Sequence, residues 1–120
     1  MKKILVVEDT NDNLEILQLV LEREGYAVLV ATDGLKGVAM AKSEKPDLVL
    51  MDIRIPEIDG YEATRRIKAD PVTAAIPVIA VTSYAMSGDR KKSMDAGCND
   101  YITKPYLPPD LIAMVRKFTG

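Results

Sequence analysis

The chain of 120 residues contains no histidine. That absence excludes Ser-His-Asp and Cys-His mechanisms and every histidine-ligated metal site. Any metal here must be held by oxygens. Cysteine occurs once, as Cys98, so no intrachain disulfide forms, and a small buried thiol is its ordinary reading. No apolar run approaches the roughly 18–20 residues that a membrane span needs. "MKKILVVEDT" has the basic start of a signal peptide, but its apolar run stops at Glu8-Asp9. There is no basic block and the net charge is −2, which argues against nucleic acid as the main partner. These absences point to a cytoplasmic protein without direct nucleic acid or membrane binding.

What is present is ordinary for a soluble domain: 48% hydrophobic and 28% charged residues, at a length typical of one domain, residues 1–120. Strand-like and helix-like segments alternate. Strands are expected at Lys3–Val7, Ala27–Ala31, Asp47–Met51, Pro77–Val81 and Asn99–Thr103. Helices are expected over residues 11–24, 34–44, 58–69, 87–96 and 109–118. Leu14, Leu17 and Leu21 share one face of the first helix, and Gly25 ends it as a C-cap would. Leu35, Val38 and Ala39 are expected to point inward from the second helix. The fourth, "SGDRKKSMDAG", offers only Met94 and Ala96 as clear apolar anchors. Leu111, Val115 and Phe118 line the last. Five β-α units in alternation imply a parallel sheet with helices on both faces. The continuous apolar strands "ILVV", "LVLM" and "VIAV" fit burial on both sides. With the last helix running close to the final residue, no output domain is expected.

In an open parallel sheet, ligands bind outside the carboxyl ends of the strands. Glu8 and Asp9 follow the first strand, Thr32 and Asp33 the second, and Asp52 the third. Thr82 and Ser83 follow the fourth, and Lys104-Pro105 the fifth. Asp33, in "DG", reads as a turn residue. Glu8, Asp9 and Asp52 would repel one another, and a divalent cation relieves the conflict. All-oxygen ligation with room for water suits Mg2+. Lys104 beside that cation makes sense only if more negative charge arrives, as a phosphoryl group would bring it. Magnesium, Lys104 and the Thr82 hydroxyl would share its oxygens, and Asp52 would be the nucleophile.

The acidic pair Glu8-Asp9, "DIRIPEIDG" around Asp52, "VTSYAM" around Thr82 and "AGCNDYITKP" around Lys104-Pro105 stand in order at these strand ends. Together they resemble the receiver domain of two-component response regulators over essentially the whole chain, of the single-domain kind that includes DivK-like and chemotaxis regulators. The resemblance implies a flavodoxin-like, doubly wound five-stranded parallel α/β sheet in strand order 2-1-3-4-5. It implies that Asp52 accepts a phosphoryl group from a histidine kinase or histidine phosphotransferase. The Arg54 backbone carbonyl is then a further Mg2+ ligand. Lys104–Pro105 is a cis peptide, and Tyr101 acts with Thr82 as the switch. The face made by the fourth helix, fifth strand and fifth helix meets a downstream partner. Such a protein is expected to be a regulator, with Mg2+-dependent self-phosphorylation from a phosphodonor and self-dephosphorylation, expected here to be slow because of Arg54 and Tyr84, as its only chemistry.

Simpler readings exist for several residues. Glu8 and Asp9 suit the start of a helix, Thr82 suits a strand, and Gly60 serves chain geometry. Three rival functions are weaker. A haloacid-dehalogenase-type phosphatase needs a second acid two residues after its nucleophile, where this chain has Arg54. A flavodoxin-like electron carrier needs a phosphate loop where "EDTNDN" is acidic. An inactive docking module would have lost Asp52 or Lys104, and both are present. The residues two after Asp52 and Thr82 are Arg54 and Tyr84, neither of them an acid or carboxamide suited to orienting a hydrolytic water.

Overall fold

Apolar runs without polar interruption can be strands only if both of their faces are covered, and the fold follows from that requirement. The computed structural model describes residues 1–82 and 87–120, with side chains from Arg90 onward in the second stretch. Strands β1 (Lys3–Val7), β2 (Ala27–Ala31), β3 (Leu48–Asp52), β4 (Val78–Thr82) and β5 (Asp100–Thr103) form one parallel sheet in the order β2-β1-β3-β4-β5. The helices between and after them are α1 (Asn11–Arg23), α2 (Gly34–Glu44), α3 (Gly60–Ala69), α4 (Ser87–Asp95) and α5 (Pro108–Thr119). Among the described residues no helix is long and apolar enough to cross a membrane.

The alternation of side chains along each strand divides the interior in two. Ile4, Val6, Leu48 and Leu50 pack with Leu14, Leu17 and Leu21 of α1 and with Leu111 and Val115 of α5. Leu5, Val7, Val49 and Met51 pack on the opposite face with Ala41 of α2, Ala63 and Ile67 of α3, and Cys98. Burying each leucine or isoleucine contributes about 1.5–3 kcal/mol. The inner strands β1, β3 and β4 carry most of that burial, whereas β2, at one edge, is half-buried along most of its length.

Element boundaries shift by one or two residues from the sequence expectation, each shift having a local cause. β3 runs on to Asp52 and β4 to Thr82, because Asp52 pairs with Val81 and Thr82 with Thr103. α3 begins at Gly60, since the Asp59 carboxylate accepts from the Glu62 N–H at 2.8 Å and caps the helix there. Asp33 likewise does more than turn the chain. It is the N-cap of α2, accepting from the Lys36 N–H at 2.7 Å.

Two expectations about packing faces are corrected. In α2, Leu35 and Ala39 are exposed, while Gly34, Gly37 and Ala41 face inward and half-buried Val38 packs against the core as expected. The helix lies too close to the sheet for larger residues: a Cβ on Gly37 would meet Val7 Cγ2 at 2.9 Å. In α4, Met94 is exposed and, among the described side chains of the helix, Ser93 is buried, while Ala96, just beyond the helix, is buried as expected.

Gly60 shows the same proximity in sharper form. A Cβ there would lie 2.4 Å from the Asp52 carbonyl oxygen and 2.7 Å from Ile53 Cα. The start of α3 is thus packed directly on the main chain of Asp52, and the Gly60 N–H donates to the Ile53 carbonyl at 2.9 Å. Backbone cannot move aside as a side-chain tip can. Gly60→Ala is expected to destabilise by more than about 2 kcal/mol in urea unfolding. Gly37→Ala, whose clash is with a valine methyl, should cost less. Equal losses in the two variants would refute this account.

Candidate functional site

The flush carboxyl ends of β1, β3, β4 and β5 determine which side chains meet. Glu8 continues the ladder one residue past β1, its N–H donating to the Ala31 carbonyl at 3.0 Å. Its side chain is only 2% exposed, and Oε1 accepts from the Thr10 N–H at 3.2 Å. Thr10 holds the N-cap position of α1. Asp9 is exposed at the rim. Asp52 ends β3, also buried, with Oδ1 accepting from the Arg54 N–H at 3.1 Å. Oxygens of Glu8, Asp9 and Asp52 all lie within 4.8 Å of one another. Asp33 is not part of this cluster.

Lys104 reaches the cluster from the far side of β4. Its N–H donates to the Thr82 carbonyl at 2.7 Å, extending the β4–β5 ladder by one step. The Lys104–Pro105 peptide is cis. Nζ donates to Glu8 Oε2 at 2.9 Å and to Asp52 Oδ2 at 3.0 Å. Thr82 is buried at the end of β4, between β3 and β5. Arg54 follows Asp52 by two residues with an exposed side chain. Tyr101 is half-buried in β5, and the Arg90 guanidinium lies 5.7 Å from its ring centroid. Ser83 and Tyr84 lie outside the described residues.

Burial and charge crowding set the protonation states. Burial pushes the Asp52 carboxyl up to about 6, the neighbouring Glu8 adds to the rise, and Lys104 partly opposes it. For Glu8, burial also pushes upward, but hydrogen bonds with Asp52 and Lys104 outweigh it, and its carboxyl lies below the usual range. Burial disfavours the Lys104 ammonium, yet the two carboxylates hold its pKa above the ordinary value. Three hard oxygen donors, one of them at the solvent rim, fit a hard divalent cation that keeps part of its water shell.

One feature was not legible as a site. A cavity of about 390 Å³ adjoins Lys104 and is lined by Asn13, Ile16, Pro105 and Tyr106. Burial raises the Tyr106 hydroxyl to about 12, so it stays protonated at neutral pH. Ile16 and Leu19 on α1 are 60% and 54% exposed. The available signal was two large apolar residues lying off the Leu14-Leu17-Leu21 stripe.

Comparison with known proteins gives concordant results. The family model for the response regulator receiver domain matches residues 4–116. The chain is 38% identical to the polar-differentiation response regulator DivK of Brucella anthropi, over 99% of this chain and 97% of that protein. It is similar in structure to the receiver domain of a sensor histidine kinase from Pseudomonas aeruginosa, solved with a magnesium ion coordinated in its active site cleft. That match has a TM-score of 0.93 at 38% identity and covers 99% of this chain and 98% of that one. The signal receiver domain of a signal transduction histidine kinase from Syntrophus aciditrophicus gives 0.92 at 34% identity, covering 99% and 90%.

The raised Asp52 pKa makes a prediction with a definite sign. Between the ordinary carboxyl value and about 6, the folded protein keeps a proton that the unfolded chain has lost. Stability therefore falls as pH rises through that window and stays reduced above it. Without added metal, Asp52→Asn should be more stable than the parent by about 1–3 kcal/mol at pH 7.5, with the gap narrowing toward pH 5. Magnesium should raise the parent's Tm and not the variant's. Parallel stability curves for the two proteins across this pH range would overturn the reading.

Proposed function

We propose, from the premise that the chain belongs to the response regulator receiver family, that Asp52 is its phosphoacceptor in a two-component phosphorelay. Receiver domains are regulators, and this one would work with a histidine kinase or a histidine phosphotransferase as donor. The observation that carries the reading is the Lys104 ammonium, held at 2.9 and 3.0 Å from two buried carboxylates. A cation so placed is spent on Glu8 and Asp52 at rest and is available to phosphoryl oxygens when they arrive.

An Asp52 carboxylate oxygen attacks the phosphorus of a donor phosphohistidine. The new P–O bond forms as the P–N bond breaks, and the departing imidazole takes up a proton. Lys104 and the Thr82 hydroxyl orient and neutralise the phosphoryl oxygens. The carboxylates of Glu8, Asp9 and Asp52 and the Arg54 carbonyl would hold Mg2+, which offsets phosphoryl charge when bound. The magnesium in the Pseudomonas aeruginosa receiver supports this choice of ion. Exposed Ile16, which lines the cavity with Asn13, Pro105 and Tyr106, and exposed Leu19 on the same helix support a donor that docks across α1 toward Asp52. Thr82 drawn toward the phosphoryl group, and Tyr101 turning inward, would alter the α4–β5–α5 face for a downstream partner. The compartment we propose is the cytoplasm, where phosphohistidine donors are charged from ATP.

Acetyl phosphate with magnesium should add one phosphate by intact-mass spectrometry. Labelling of Asp52→Asn to the same extent, or labelling undiminished by EDTA, would remove Asp52 from the role.

The phosphorylated protein should lose its label slowly, over minutes to hours. Hydrolysis needs an in-line water that some group orients, and exposed Arg54 offers a cation where an acid or carboxamide would serve better. Tyr84, the other residue expected to matter, lies outside the described residues. Loss of labelled phosphate from purified protein measures this. A half-life of seconds contradicts the proposal, and an unchanged rate in Arg54→Asn removes Arg54 as the cause.

A further inference from the structure

The described side chains of α4 hold on to the rest of the molecule by very little. Of its described side chains, Arg90, Lys91, Lys92, Met94 and Asp95 are exposed, and Ser93 alone is buried, at 0% exposure. The helix ends in a Schellman arrangement. The Cys98 N–H donates to the Ser93 carbonyl at 3.0 Å, the Gly97 N–H donates to the Met94 carbonyl at 3.0 Å, and Gly97 has φ of 104°. This motif is usually locked by an apolar contact between the two residues in the positions of Ser93 and Cys98.

α1 ends in the same way and supplies an internal comparison. There the Tyr26 N–H donates to the Leu21 carbonyl at 3.2 Å and the Gly25 N–H to the Glu22 carbonyl at 3.0 Å, with Gly25 at φ of 89°. The paired positions hold Leu21 and Tyr26, both in one apolar cluster. In α4 the first of these positions is a serine. Its Oγ is the only buried side-chain polar atom among the described residues that lacks a hydrogen-bond partner.

We infer that Ser93 is a positioning residue that weakens the C-terminal anchorage of α4 and so tunes how readily this helix leaves its docked position. A hydroxyl buried without a partner is unfavourable relative to a methyl group of similar size. Serine is also a poorer helix former than alanine. Both effects act in one direction and at the point where the helix is tied down. Opposing them are the buried Ala96 and the Arg90 guanidinium over Tyr101. The Lys91–Asp95 pair is 81% and 67% exposed and adds little. A marginal helix suits an element that must move. The regulatory meaning rests on the proposed function, in which the α4–β5–α5 face rearranges on phosphorylation.

Native-state hydrogen exchange on the unphosphorylated protein tests the inference without any phosphodonor. Ser93→Ala should slow exchange of the α4 amides about tenfold beyond any change in β1 and β3. Arg90→Gln should speed exchange of the same amides. Exchange of α4 that is unchanged or faster in Ser93→Ala, or slowed only in step with β1 and β3, overturns the inference. A beryllofluoride titration then tests the link to switching. If docked α4 opposes activation, Ser93→Ala should weaken the apparent beryllofluoride affinity by up to the same factor. Slowed α4 exchange with unaltered beryllofluoride affinity supports the role of Ser93 and refutes α4 as the moving part.

Discussion

The ammonium of Lys104, bridging Glu8 and Asp52, is the interaction on which the site depends. Two carboxylates about 4 Å apart repel by about 4 kcal/mol at the effective dielectric of a protein surface. Burial adds to that repulsion by removing the water that would screen it. Lys104 offsets much of this, but not all, since Asp52 still sits at about 6. The resting site is therefore electrostatically unfinished. Under the proposed function it would take up cation and phosphoryl group together more readily than either alone, because each neutralises what the other concentrates.

Such crowding persists only where the scaffold cannot relax. Asp52 belongs to β3, whose five residues are all buried and which pairs with β1 on one side and β4 on the other. Glu8 and Lys104 are fixed by ladder hydrogen bonds immediately beyond β1 and β5. Gly60 then brings the start of α3 against the Asp52 backbone, and the loop between them folds tightly, with Glu57 in the left-handed region at φ 73° after Pro56. The site's geometry is thus a property of sheet register and close main-chain packing, with the loops adjusting around it.

The parallel sheet could be anticipated because the strands read as uninterrupted apolar runs separated by helical periods, whereas its strand order followed only from the resemblance to receiver domains. The candidate site residues stood out because they fall immediately after those runs, as Glu8, Asp52, Thr82 and Lys104 do. Packing faces were less legible where hydropathy and proximity compete. Leu35 looks like an anchor by composition, but α2 approaches β1 so closely that glycines take the inward positions. Met94 misleads for a related reason: α4 shows no apolar face at all, so hydropathy gives no rule for its orientation. Ser93 was invisible to pattern reading because its significance lies in a hydrogen bond that it does not make. Only the surrounding geometry reveals that.

Just past the end of α4 that carries Ser93, the chain is tied to β4. Asn99 brackets Val78, its N–H donating to the Val78 carbonyl at 2.7 Å and its side-chain oxygen accepting from the Val78 N–H at 3.0 Å. Lys68 of α3 lies with its stem where a Cβ on Gly97 would meet it, and its ammonium donates to the Ile76 carbonyl at 2.6 Å. The Asn99 hydrogen bonds hold the chain just after the turn that ends α4, on the side of Ser93 away from the helix. Thr82 lies at the opposite end of β4, between the strand ends that carry Asp52 and Lys104, so the strand runs from the electrostatic imbalance at its carboxyl end to the segment after α4 at its amino end. The imbalance need not be large. A shift of about 1.4 kcal/mol is enough to change the population of an alternative arrangement tenfold.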